Sequence, residues 1–161
     1  MTGHVIHVHT VVPTRPEVIW GVLTDVGGRA RILRSVTESR LLTEGPYDVG
    51  TTWVEKRTMF GHHGREELHV LAADPPLRTQ LETRLGHDRI LTSFSLTPRP
   101  GREESRLSQT TIADMGARSL PGQWAWQIFG GFSYDATRRM FEHDLEDYAA
   151  EARSRMAEAP R

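Results

Sequence analysis

The sequence predicts an α+β domain in which a curved, seven-stranded antiparallel sheet wraps around one long C-terminal helix, with two short helices after strand 1. Three observations carry this reading. Between Val36 and Met115 the chain is cut by turn-forming clusters at Gly45-Pro46, Gly61 to Gly64, Asp74-Pro75-Pro76, Gly86-His87-Asp88 and Pro98 to Gly101. Six short strands fit between those breaks, and connections this short join antiparallel neighbours rather than helical crossovers. In the run ending near Met156, Tyr134, Phe141, Leu145, Tyr148, Ala149, Ala152 and Met156 fall on one helical stripe that leaves out Glu142, His143, Glu146, Asp147 and Glu151. Such a stripe needs a partner, and the sheet is the only large one.

The elements follow in order. Residues 5 to 12, VIHVHTVV, form a β-branched run that ends at Pro13. A helix comes next: Thr14 and Glu17 have capping-box spacing, Pro16 sits in the first turn, and Val18, Ile19, Val22 and Leu23 make one apolar face. Gly27 and Gly28 end it, and Arg29 to Leu33 fits a single helical turn. In the third strand Trp53, Glu55, Arg57 and Met59 share one face, opposite Thr52, Val54, Lys56 and Phe60. With the Trp53 face inward, Glu55 and Arg57 pair in the interior and Glu55 is a candidate general base; with it outward, they form a solvated ion pair. Leu68 and Val70 share a face that excludes Glu67 and His69, which are expected to be exposed. Ile90, Thr92, Phe94 and Leu96 share a face of the sixth strand, as do Leu107, Gln109, Thr111, Ala113 and Met115 of the seventh.

Composition narrows the function. The 161 residues suit one domain, residues 1–161, with a flexible tail from about 157. A net charge of -1 gives no pull toward nucleic acid or anionic membrane. With no Cys there is no disulfide, thiolate nucleophile or Cys-ligated zinc. The first residues lack the pattern of a signal peptide and no run approaches membrane-spanning length, so a cytoplasmic location without membrane insertion is expected. Lys56 is the only lysine, a bias that fits a GC-rich bacterial genome. His7 and His9 share one side of strand 1 and His62-His63 sit in a turn, but no third ligand accompanies them, so they read as surface histidines; no metal and no cofactor are expected. The Gly-x-Ser-x-Gly, Gly-x-x-x-x-Gly-Lys and Gly-x-Gly-x-x-Gly motifs are absent, which removes the main support for hydrolase, NTPase and dinucleotide readings.

Val12-Pro13 leading into Pro16-Glu17-Val18-Ile19-Trp20 and Leu23-Thr24-Asp25, then Val49-Gly50-Thr51-Thr52-Trp53, Asp74-Pro75-Pro76 and Asp144-Leu145-Glu146-Asp147-Tyr148, resemble the START/Bet v 1-like (SRPBCC, helix-grip) superfamily, particularly its bacterial polyketide cyclase/dehydrase-like branch. The resemblance covers nearly the whole chain. It implies a cavity between sheet and helix for a hydrophobic, aromatic or polycyclic molecule. A sheet curved around one helix leaves a wedge that only large side chains would fill. Trp53, Arg57, Met59, Thr92, Phe94, Gln109, Thr111, Trp124, Tyr134, Arg138 and Phe141 are the expected ligand-binding residues, and no catalytic residue is indicated. Arg138 either offers a ligand carboxylate its fork of donors or covers apolar surface with its stem while its head reaches solvent. The aromatic stretch from Trp124 to Phe132 is a gate, a plug or a homodimer contact. Three functions fit: a small-molecule binder, a polyketide cyclase, aromatase or dehydratase, and a protein-interaction module. A cone-shaped barrel with its helices at the N-terminus is the competing fold, and the position of the long helix argues against it.

Overall fold

The structure, a computed structural model, describes residues 4–59, 62–85, 88–114 and 134–160. Trp124, the aromatic stretch around it, Phe60 and Met115 lie outside the described residues, as does the side chain of Met59.

Strand β1 (His4–Val12) is followed by helix α1 (Pro16–Leu23), a 3-10 turn (Val26–Gly28) and the four-residue helix α2 (Arg29–Ile32). Six strands follow: β2 (Val36–Leu41), β3 (Thr52–Met59), β4 (His62–Asp74), β5 (Arg78–Leu85), β6 (Asp88–Pro98) and β7 (Ser105–Asp114). Helix α3 (Tyr134–Glu158) closes the chain. All seven strands form one antiparallel sheet in the order β1-β7-β6-β5-β4-β3-β2. Among the described strands only the β1–β7 pairing joins ones distant in sequence, so the meander predicted from turn spacing is the fold, an α+β helix grip.

Pro16 starts α1 at its first turn, as expected, but the capping box does not form. Arg15 flanks the helix without a side-chain cap, and Thr14 sits one residue too early: its carbonyl accepts the Ser105 hydroxyl and its own Oγ1 is buried without a partner among the described residues. The end of the helix is also earlier than the glycine pair suggested. Thr24 caps it, and Asp25 then accepts the Gly28 amide at 3.0 Å. A Cβ on Gly28 would meet that carboxylate at 2.6 Å, so glycine there lets the chain fold tightly into α2.

Helix α3 packs on β1 and α1 and buries Phe141, Leu145, Tyr148, Ala149 and Ala152. The two ends of the predicted stripe depart from it. Tyr134 is 50% exposed, and Met156 also reaches solvent. At the N-terminal end the buried face runs through Thr137, Phe141 and Asp144, which turns Arg138 onto the flank.

Candidate functional site

Side chains of β3 alternate across the sheet, and the Trp53 face is the inward one. Glu55 is only 1% exposed, and four donors converge on its carboxylate. Arg29 Nε donates to Oε2 at 2.7 Å and Trp53 Nε1 to the same oxygen at 3.1 Å. On Oε1, the terminal nitrogens of Arg29 and Arg57 each donate at 3.3 Å. Arg57 also donates to Asp144 of α3 at 2.7 Å and to Ser35 Oγ at 3.0 Å, and that hydroxyl donates on to Asp144. Arg29 reaches Tyr148 as well, donating to the phenol oxygen at 2.8 Å, and its guanidinium lies 5.5 Å from the Trp53 ring centre. The network ties α2, β3 and α3 together through buried charges, each of them compensated.

Burial alone would raise the Glu55 carboxyl, but the Arg29 and Arg57 guanidinium groups outweigh it and hold the group down at about 2. Burial works against both arginines too; Glu55 and, for Arg57, Asp144 more than compensate, and both stay charged. The general-base reading of Glu55 is therefore corrected: a carboxylate this acidic, with four donors on it, is a poor proton acceptor at neutral pH.

Glu66 behaves differently. On β4 it stands directly opposite Glu55, on the inward face with Leu68 and Val70, and it is 8% exposed. Among the described residues nothing hydrogen-bonds its carboxyl. Burial pushes it up to about 7, with Glu55 and Asp144 adding to the rise and Arg57 and Arg29 opposing it.

These groups form the polar end of a cavity between sheet and helix. Leu68, Leu81, Ile90, Phe94 and Phe141 give it apolar walls, and Thr83, Thr92, Thr111 and Gln109 interrupt them. Gln109 donates to Thr111 Oγ1 at 3.2 Å while its own Oε1 is buried without a partner among the described residues. The space holds about 50 Å³, room for roughly three to five waters. A second pocket of about 410 Å³, lined by Arg34, Ser35, Thr58, Ala136, Arg139 and His143, shares Met140 and Asp144 with the first.

Of the residues expected from sequence, Arg57, Thr92, Phe94, Gln109, Thr111 and Phe141 line the inner cavity. Trp53 stands behind it, buried and holding Glu55. Met59 ends β3, and Trp124 lies outside the described residues. Tyr134 and Arg138 are not among the cavity-lining residues. The Arg138 side chain is 50% exposed and pairs with Glu142, one turn on, at 3.2 Å. Sequence reasoning missed Arg29, Glu66 and Asp144. For Glu66 the signal was present, since it shares the period-two face of Leu68 and Val70.

On the outer surface, His7 and His9 lie exposed on β1, with His7 hydrogen-bonded to Thr110 Oγ1 at 2.9 Å. Glu67 is exposed as expected; His69 is partly covered and pairs with it at 2.9 Å. No helix among the described residues is long and apolar enough to cross a membrane.

The fold recurs in solved structures of low sequence identity. A Thermus thermophilus protein superposes with a TM-score of 0.75 at 15% identity, over 97% of this chain and 100% of its own. An aromatase/cyclase from a Streptomyces species gives 0.70 at 18% identity, over 96% of each chain. A Thalictrum norcoclaurine synthase, in complex with a transition-state analogue, gives 0.67 at 12% identity, over 94% of this chain and 97% of its own. Comparison with curated protein sequences gives no match. The sequence itself matches, over residues 4–156, the family described as polyketide cyclase / dehydrase and lipid transport. With that match spanning nearly the whole chain and the helix-grip architecture in place around it, the protein belongs to the polyketide cyclase/dehydrase and lipid transport family.

Proposed function

We propose that the protein binds a hydrophobic, ring-containing small molecule between its sheet and α3. The observation that carries this reading is the lining of the inner cavity: aliphatic and aromatic side chains from β4, β5, β6 and α3, with a few hydroxyl and amide groups placed among them. Gln109 Oε1, in the cavity wall, is buried without a partner among the described residues; a ligand hydroxyl would supply one. The 410 Å³ pocket sharing Met140 and Asp144 gives room for the larger part of the molecule, with its tip in the inner space.

Calorimetric titration with anthraquinones and flavonoids tests this reading. Saturable binding is expected, and Thr92→Phe, which places a ring in the cavity, is expected to weaken it without loss of secondary structure by circular dichroism. No saturable binding of any of these compounds, or equal binding by the Thr92→Phe variant, would contradict a ligand site at this place.

A second reading, catalysis of a cyclisation or dehydration, is favoured by Glu66. A buried carboxyl held near neutrality and facing a ligand cavity suits proton transfer to or from a ligand, the role that the notion of a cyclase or dehydratase requires. Turnover of a poly-β-ketone substrate, lost in Glu66→Gln with binding retained, is the expected signature; unchanged turnover in that variant would remove Glu66 from the chemistry.

A further inference from the structure

Five ionisable side chains besides Tyr148 meet at the polar end of the cavity: Arg29 from α2, Glu55 and Arg57 from β3, Glu66 from β4 and Asp144 from α3. Four of them balance. Two guanidinium groups face two carboxylates, and all four are joined by hydrogen bonds. Glu66 is the remainder. Its strand partner is Glu55, and opposed positions on neighbouring strands bring side chains within about 4.5–5.5 Å at Cβ. A second negative charge there would face the Glu55 anion across a wall that also carries Leu68, Ile90 and Phe141.

We infer that the cavity selects uncharged ligands, the Glu66 carboxylic acid donating a hydrogen bond to a ligand carbonyl oxygen, and that it rejects carboxylates of the same shape. This rests on the ligand-binding reading above and names the class of ligand. Three features support it. Among the described residues, both buried arginines of the inner cavity are already spent on carboxylates, so an anionic group seated beside Glu66 finds no unspent cation, and the exposed Arg139 lines only the adjoining pocket. Tyr148 accepts a hydrogen bond from Arg29, and no described residue accepts one from its own O–H, so a second O–H donor lines the same space. Burial keeps the Glu66 proton in place up to about pH 7. Facing Glu66 are Glu55 and Arg57 of β3, Arg29 of α2, and Asp144 and Tyr148 of α3, while β5 and β6 present only uncharged Thr83, Ile90 and Thr92.

The test uses four probes of one ring system: 2-acetylnaphthalene, 2-ethylnaphthalene, 2-naphthoate and 2-naphthylmethylamine, titrated calorimetrically from pH 5.5 to 8.5. The acetyl compound is expected to bind most tightly at acid pH, its Kd rising by about two- to tenfold as Glu66 ionises, the worth of one hydrogen bond. Binding of the ethyl compound, which lacks an acceptor, should not vary with pH, and the naphthoate should bind more weakly than either. In Glu66→Gln the amide N–H replaces the acid proton, so binding of the acetyl compound should persist with its pH dependence removed. A flat profile for the acetyl compound on the unaltered protein would overturn the inference and leave the ligand-binding reading standing. Naphthoate binding as tightly as the ketone, or the amine binding tightest at high pH, would overturn it equally. Failure of all four, the ethyl compound included, would overturn both readings together.

Discussion

Removing the titration of Glu66 should change how stability depends on pH. The folded protein holds this carboxyl at about 7, against an ordinary value of 4.5. Between those two pH values the native state binds a proton that the unfolded chain has released, so stability falls as pH rises. The contribution is intact below 4.5 and is lost as pH climbs through about 7. At about 1.4 kcal/mol per tenfold change in proton affinity, the full loss is about 3 kcal/mol. Urea denaturation followed by circular dichroism at pH 5 and at pH 8 measures it in the unaltered protein and in Glu66→Gln. The variant cannot ionise there, so it should be the more stable of the two at pH 8 by an amount approaching that figure, with the difference shrinking toward pH 5. Glu55 acts in the opposite sense and lower down, since its depressed carboxyl loses stability as pH falls from 4.5 toward about 2. A difference between the two proteins that stays constant from pH 5 to pH 8 would refute the reasoning.

Other outcomes follow from the same structure. Leu145 is buried in the α3 interface, so Leu145→Ala should lose about 2–5 kcal/mol in denaturant melts, whereas exposed Glu146→Ala should stay within about 0.5 kcal/mol. Arg57→Met leaves Asp144 and part of Glu55 uncompensated in the interior and should cost about 3–5 kcal/mol by the same assay. Arg138→Met removes an exposed pair with Glu142; stability should move by less than about 0.5 kcal/mol, and the affinity for naphthoate should not change measurably.

Much of the fold is legible in local patterns. Glycine and proline clusters mark the strand breaks, and the α3 face follows from the spacing of Phe141, Leu145 and Tyr148. Alternation along β6 and β7 also places Phe94, Gln109 and Thr111 on the cavity wall. What sequence reasoning could not supply is the charged end of the site, because its cause is non-local. Arg29 sits on a four-residue helix with no apolar pattern, and it is buried because Glu55, 26 positions away, and Tyr148, 119 positions away, receive its donors. Arg138 shows the converse. The periodicity puts it inside the apolar stripe, between Tyr134, Phe141 and Leu145, but which part of a broad stripe is covered depends on the register of α3 against the sheet, and that register favours Thr137 and Asp144. Asp144 is tolerated there because Arg57 and Ser35, from β3 and the turn before β2, arrive to compensate it.

A crystal structure of the protein with 2-acetylnaphthalene tests the central claim most directly. Density for the carbonyl group in the inner cavity, its oxygen within hydrogen-bonding distance of the Glu66 carboxyl, with the ring system extending past Met140 into the adjoining pocket, is the predicted result. A ring lying on the outer face of the sheet, or one seated in the cavity with its carbonyl turned away from Glu66 and Tyr148, would contradict it.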